Sequence, residues 1–414
     1  MSTSLTTPGR TSSAGPSLVR ARAAVTAAFV MSGILVGSWV VNFPRLEIAT
    51  GISHGVLGTI LIIPAAACIV GVQVCGALSD RIGSRPTLLA GAALAAVSVA
   101  VAARATNAWE LAVPLLFFGF GLGALDVSMN AQSVVIERLY GRRILASFHA
   151  FYSMAAAFGG IAAGVLIGLG WTLESTVAVC AVSGCTLIAA TASGLLPKEY
   201  ARPQAEPTQS GADAALQSDR RNRWTPAILA LGLSALLLML CEGAANDWSA
   251  VQVHERFGVT GGAAAGGYAA FAVAMTVGRL GGDRIAMRLG PVRVIRYGTL
   301  VAAAAVALII VSSALWLTVA AWALFGLGLS GCVPILFSAA GNQPTGTAGV
   351  ALGRVSGMGY VGLLSGPTLI GWTAQATSIA AAFGILVVAC VGSALLAGSV
   401  RTRANCHREL PSKS

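Results

Sequence analysis

Gly76-Ala77-Leu78-Ser79-Asp80-Arg81-Ile82-Gly83-Ser84-Arg85-Pro86 is a short, charged, glycine-rich stretch between two apolar runs, each long enough to cross a bilayer. It returns, with one extra residue, as Gly278-Arg279-Leu280-Gly281-Gly282-Asp283-Arg284, again between two apolar runs. Asp80 and Asp283 lie 203 residues apart, close to half of the 414-residue chain. A period that long, with the same local chemistry at each end, points to internal duplication of a multi-helix unit.

Composition sets the environment. Hydrophobic residues make up 56% and charged residues 10%, and mean hydropathy is +0.79. A soluble fold would lack the polar surface it needs. A span takes about 20 apolar residues at ~1.5 Å rise each. Twelve such runs occur, near 23–43, 55–78, 86–103, 109–130, 146–169, 175–196, 225–248, 262–282, 291–313, 315–338, 350–373 and 379–400. The expected fold class is an all-α polytopic membrane protein with twelve transmembrane helices in two pseudo-symmetric six-helix bundles. Residues 1–18, rich in Ser, Thr, Gly and Pro, read as a disordered cytoplasmic N-terminus. The bundles span 19–197 and 224–400, with a polar cytoplasmic linker over 198–223 and a cytoplasmic tail over 401–414.

Orientation follows from Lys and Arg. With the N-terminus inside, 23 of the 26 fall on the cytoplasmic side, Arg279 and Arg354 among them. Arg45, Arg104 and Arg256 remain outside. The net charge of +11 then reflects inner loops rather than a nucleic-acid partner. The first run follows Arg20 and Arg22 as a signal peptide would, but its length and lack of an Ala-x-Ala site make it an uncleaved helix.

Polar side chains inside apolar runs are the candidates for a transport pathway, because an intramembrane acid is costly and faces protein or water rather than lipid. Asp126 and Asn130 are four apart on helix 4 and share a face. His149 and Tyr152 open helix 5 on the side where helix 4 ends, so His149 is placed to meet Asp126 and Asn130 as a proton relay or as a structural residue. Helix 7 carries Glu242 within its apolar run and Asp247 at its outer rim, beside Trp248. Trp39 and Asn42 close helix 1, either as an interface anchor or as lining for the outer half of a cavity. Tyr268 on helix 8 and Tyr360 on helix 11 complete the set. Gly160, Gly164 and Gly168 form a small-residue stripe on helix 5, suited to close packing.

Rival chemistries find little support. Gly326-x-Gly328-x-x-Gly331 matches a dinucleotide fingerprint but lies inside an apolar span with no preceding strand. Gly51-Ile52-Ser53-His54-Gly55 matches a nucleophile elbow, yet it joins two membrane helices. The four His are scattered, so no metal site is indicated, and no phosphate-binding loop or cofactor motif appears. Seven of the eight Cys sit in apolar runs as small hydrophobes, and Cys406 is in the tail. The chain is not expected to be an enzyme.

The pattern Gly-x-Leu-x-Asp-Arg-x-Gly-x-Arg resembles the loop signature of the major facilitator superfamily, between its second and third helices. A narrower resemblance lies in Asp126-Val127-Ser128-Met129-Asn130-Ala131-Gln132, Ser147-Phe148-His149-Ala150, Glu242-Gly243-x-x-x-Asp247-Trp248-Ser249 and Gly366-Pro367. These look like the branch related to the rhizopine-transport membrane protein, itself similar in outline to fucose permease. Fucose permease carries an acid in helix 1, where only Asn42 is nearby here. Helix 5 lacks the Gly-Pro motif of drug–proton antiporters. The resemblance implies a monomeric secondary transporter of a small polar solute, coupled to protons and working by alternating access in the plasma (inner) membrane, with both termini cytoplasmic. Drug or metabolite efflux, or a non-transporting membrane sensor, are the alternatives. It also implies that the signature segments (Gly76, Asp80, Arg81, Gly83, Arg85 and Gly278, Asp283, Arg284) act as gates on the inner side. There Asp80 would meet the start of helix 11 near Val350, and Asp283 the start of helix 5 near Leu145. Arg81, Arg85 and Arg284 are placed to steady these carboxylates.

Overall fold

Apolar runs of this length bury their backbone polarity by closing it into helices, since lipid offers no hydrogen-bond partners. The computed structural model describes residues 17–52, 54–200, 224–259, 261–343 and 348–400. No strand occurs among them. The N-terminal half contributes α1 (Leu18–Val41), α2 (Ile62–Ile82), α3 (Ser84–Ala102), α4 (Ala108–Tyr140), α5 (Leu145–Gly168) and α6 (Leu173–Thr191). The C-terminal half contributes α7 (Pro226–Phe257), α8 (Gly261–Leu289), α9 (Pro291–Val311), α10 (Leu315–Gly341), α11 (Ala348–Ala376) and α12 (Ile379–Val400). Among the described residues, ten of these are long and apolar enough by themselves to cross a membrane; α8 and α11 are the two outside that set. The expected N-terminal segment, the linker and the tail with Cys406 fall almost wholly on 1–16, 201–223 and 401–414, outside the described residues.

The two halves pack by one plan. In the first, α1 lies against α5 and α6, and α4 against α2 and α3; in the second, α7 lies against α11 and α12, and α10 against α8 and α9. Aromatic side chains fill each core. Phe29 stacks on Phe148 at 5.6 Å in the first half, and Trp322 meets Phe383 edge-on at 5.7 Å in the second. The halves meet where α2 packs on α11 and α5 packs on α8.

Three features differ from the sequence reading. First, the duplicated segment is a helix end rather than a loop. Asp80 and Arg81 belong to the last turn of α2, and the chain reverses through Gly83 alone, at φ 103° and ψ 152°. Its counterpart is Gly290, at φ 80° and ψ 155°, so Gly278–Arg284 lies wholly inside α8. Only glycine adopts that backbone without strain. Three residues take Asp80 to Gly83, whereas seven take Asp283 to Gly290. Besides the one extra residue before its aspartate, the second copy thus carries four more between aspartate and hinge glycine, about one helical turn.

Second, α4 and α7 run on to Tyr140 and Phe257, well past the expected ends at 130 and 248. Apolar counting stops at the first polar side chains, but these are buried against neighbouring helices, as Gln132, Ser133 and Glu137 are on α4. Third, the stripe on α5 does not pack as expected: a Cβ on Gly164 or Gly168 would meet nothing within 4 Å. Close approach falls instead to Gly159, against the backbone of Ile34 on α1.

Candidate functional site

Asp126 sits in the middle of α4, with Asn130 one turn on. The Asn130 amide donates to the Asp126 backbone carbonyl at 2.9 Å and to Asp126 Oδ1 at 3.2 Å. Asn130 Oδ1 then meets His149 Nε2 of α5 at 3.2 Å. The His149 ring is held between Phe29 and Phe337, with centroids at 5.1 and 6.1 Å. Asp126 Oδ2 is buried and has no hydrogen-bond partner. Tyr360 on α11 faces this carboxylate from the other half of the molecule.

Below this group lies an ion pair. Arg279 of α8 donates to Glu242 Oε1 of α7 at 3.0 Å and to Ser153 Oγ of α5 at 2.6 Å. The two side chains are 10% and 22% exposed. The buried Arg279 Nε has no partner. Tyr152 lies within electrostatic reach of Asp126, Glu242 and Arg279 together. Helices from both halves thus bring two carboxylates, one guanidinium, a histidine and two phenols into a single polar cluster.

One end of the bundle, marked by the Gly83 and Gly290 hinges, is closed. Asp80 accepts from the N–H groups of Gly349 and Val350, at 3.1 and 2.8 Å, in the first turn of α11. Asp283 accepts from those of Ala146 and Ser147, at 3.0 and 2.9 Å, in the first turn of α5. Both partners of each contact are related by the same 203-residue offset as the aspartates themselves. A helix start carries four unpaired N–H groups and roughly half a positive charge, so a carboxylate is well placed there. The N-cap of α5 is Ile144, which offers no side-chain cap. Glu137 of α4 takes the other two donors, Ile144 N at 2.9 Å and Leu145 N at 3.1 Å. Its second oxygen accepts from the Ser338 hydroxyl of α10, another contact between halves. In the α4–α5 turn, burial disfavours the charge on Arg143 while Glu137 and Asp283 support it. Gly76 lets α2 and α11 touch: a Cβ there would sit 2.7 Å from the Gly349 carbonyl. Gln73 completes that seam by donating to the Gly353 carbonyl at 2.6 Å.

The remaining candidates lie apart from the cluster. Trp39 is buried against Phe43 and Phe118 within its own half, and Asn42 is buried as the cap of α1. Trp248 donates to the Pro367 carbonyl at 3.0 Å, which ties α7 to α11. Asp247 is exposed but not at a helix rim, because α7 continues ten residues beyond it, about 15 Å. Tyr268 is 44% exposed and stands eleven residues before Arg279, three turns along the same face of α8. Arg81 and Arg284 lie on the exposed surface and Arg85 is half-buried. Gly278 packs on the Ser330 side chain within its own half.

Sequence reading missed Arg279, Ser153, Glu137 and Gln73. The sequence places Arg279 among the charges of the cytoplasmic side; in the structure it is a buried residue of a continuous helix. The signal was its spacing, four residues before Asp283, which in a helix places it one turn deeper. Glu137 follows the expected end of α4 and carries no signal apart from the fold.

The profile of the Major Facilitator Superfamily matches residues 24–350. An uncharacterized MFS-type transporter of Yersinia pestis is 31% identical over 377 residues, which cover 91% of this chain and 94% of that one. The membrane protein MosC of Rhizobium meliloti is 29% identical over 377 residues, covering 91% and 89%. Among solved structures, the transporter FucP in its outward conformation superposes with a TM-score of 0.71 at 16% identity, covering 92% of this chain and 98% of its own. With its duplicated hinge, its two matching six-helix halves and these likenesses, the chain belongs to the Major Facilitator Superfamily and is a multi-pass membrane transporter rather than an enzyme.

Proposed function

We propose that the chain carries a small polar organic solute across the plasma membrane, coupled to protons, with both termini in the cytoplasm. The cluster around Asp126 and Arg279 would form the midplane site, and the hinge side would be the cytoplasmic face. The observation that carries this reading is that the cluster is shared by the two halves directly above two matched carboxylate clamps. A site divided between bodies that rock against each other, with one exit held shut, is what alternating access requires. FucP, whose fold this chain shares, is named a fucose:proton symporter, which agrees with a small hydroxylated solute and a proton.

Asp126 is the proposed proton-coupling group, because one oxygen is buried without a donor while the other is held by Asn130. In the test, purified protein in proteoliposomes is given an imposed proton gradient and a panel of labelled solutes. The expected result is accumulation of one of them, with Asp126→Asn abolishing accumulation yet keeping exchange. If Asp126→Asn still accumulates solute at the wild-type level against a gradient, Asp126 is not the coupling group.

A further inference from the structure

A guanidinium has five N–H donors in a fixed fork that matches a carboxylate. Arg279 uses that fork sparingly: one nitrogen holds a single oxygen of Glu242, one holds Ser153, and the buried Nε holds nothing. Arg279 is 8% exposed overall, so this unmet demand lies inside the site. The unmet demand on the other half is of the opposite kind, the buried Asp126 Oδ2, which makes no hydrogen bond although the Tyr360 phenol lies near its carboxyl. A solute that answers both carries an acceptor with negative charge at one end and a hydroxyl at the other.

Charge balance decides what must accompany it. Arg279 carries one positive charge against the two carboxylates of Glu242 and Asp126. The other titratable groups facing the pair are His149 and Tyr152 on α5 and Tyr360 on α11. A further carboxylate in this dry cluster would leave two uncompensated negative charges, which low-dielectric surroundings strongly disfavour. Proton uptake by a carboxylate removes one of them. Asp126 is the better placed to take it, since Glu242 is already paired with Arg279 while Asp126 Oδ2 makes no hydrogen bond.

We propose that the transported solute is a small hydroxylated carboxylate whose carboxylate takes Arg279 in place of Glu242, while its hydroxyl hydrogen-bonds to Asp126. This rests on the transporter reading above and adds the substrate class and the exchange of partners at Arg279. One proton enters on Asp126 with each carboxylate, so transport of a monocarboxylate through this step is electroneutral.

The test uses the full chain in proteoliposomes with matched acid and amide pairs: lactate and lactamide, mandelate and mandelamide, gluconate and gluconamide, 3-hydroxybenzoate and 3-hydroxybenzamide. The neutral sugars fucose and xylose are included. Binding is read by thermal shift, and transport by solute accumulation and intravesicular pH. Expected is a preference for one acid over its amide by about 10- to 150-fold, the range of one charge-assisted hydrogen bond. Acid binding should weaken as pH rises in the wild type, lose that dependence in Asp126→Asn, and persist in Glu242→Gln. Arg279→Gln should abolish acid binding, and Arg279→Lys should retain a reduced affinity. The double variant Arg279→Gln/Glu242→Gln, which leaves no unpaired charge, checks that loss of binding is not loss of fold. An amide bound as tightly as its acid, a sugar accumulated while every acid is refused, or acid binding lost in Glu242→Gln would each overturn the substrate class and leave the transporter standing. Accumulation of no solute under any gradient would overturn both.

Discussion

Replacing Asp283 by Asn, and separately Asp80 by Asn, should open the hinge side. Each carboxylate accepts two backbone N–H bonds from a helix start in the other half. An amide keeps one acceptor, loses the second, and removes the charge that the helix start attracts. The lost charge–dipole term is about 0.3–2 kcal/mol, and the lost hydrogen bond about 0.5–1.5 kcal/mol. Together, about 1–3.5 kcal/mol shifts a balanced two-state equilibrium by roughly 5- to 300-fold toward the open form. Substitution of these half-buried carboxylates, with the helices otherwise intact, should leave expression and membrane orientation unchanged, since Asp contributes little to topology. The assay is a spin-label distance distribution between the exposed positions Arg142, in the α4–α5 turn, and Met287, near the end of α8. A second pair spans the matching ends of α2 and α11. Wider populations are expected in each variant, with slower transport. Unchanged distributions in both variants would refute the clamp and leave the carboxylates as solvated helix ends.

Gly76→Val should act in the same direction by steric means, because its Cβ would meet the Gly349 carbonyl at 2.7 Å; distance distributions for α2 and α11 should widen while melting of the separate halves is unchanged. Asp126→Asn should keep counterflow exchange but lose gradient-driven accumulation, measured in the same vesicles. Arg279→Gln strands Glu242 and should lower thermal stability by about 3–5 kcal/mol, the cost of leaving a buried charge unpaired. The double variant with Glu242→Gln should recover most of that loss by calorimetry or denaturant titration, and a further drop instead would mean that the pair is not coupled.

Much of this architecture is legible in the chain because the bilayer imposes it. Spans, half-length period and the placement of His149 beside Asn130 all follow from helix geometry and from polar groups in apolar runs. Helix ends were less legible, because α4 and α7 continue through polar residues whose burial depends on the neighbouring helix. The depth of Arg279 was misread for the same reason: a charged residue next to a glycine pair looks like a turn until the chain is known to reverse only at Gly290. Glu137 shows a different limit. Its partners are backbone N–H groups seven and eight residues on, together with a serine 201 residues away, and no local pattern encodes that meeting.

The burial of Arg279 bears on how the protein is made. An arginine at the centre of a helix disfavours insertion by about 2.5–3.5 kcal/mol, and among the described residues α8 and α11 lie outside the ten helices that are long and apolar enough to cross a membrane. Both pack against α7, which precedes them in the chain and carries Glu242. As the ribosome delivers the second half, α7 would already be waiting at the translocon as the receptor for α8, so that the two enter as a hairpin with their charges joined. Later it would receive α11. Glu242 on that view is needed at birth as well as at work, and variants that lose it should be sought among degraded nascent chains as much as among inactive transporters.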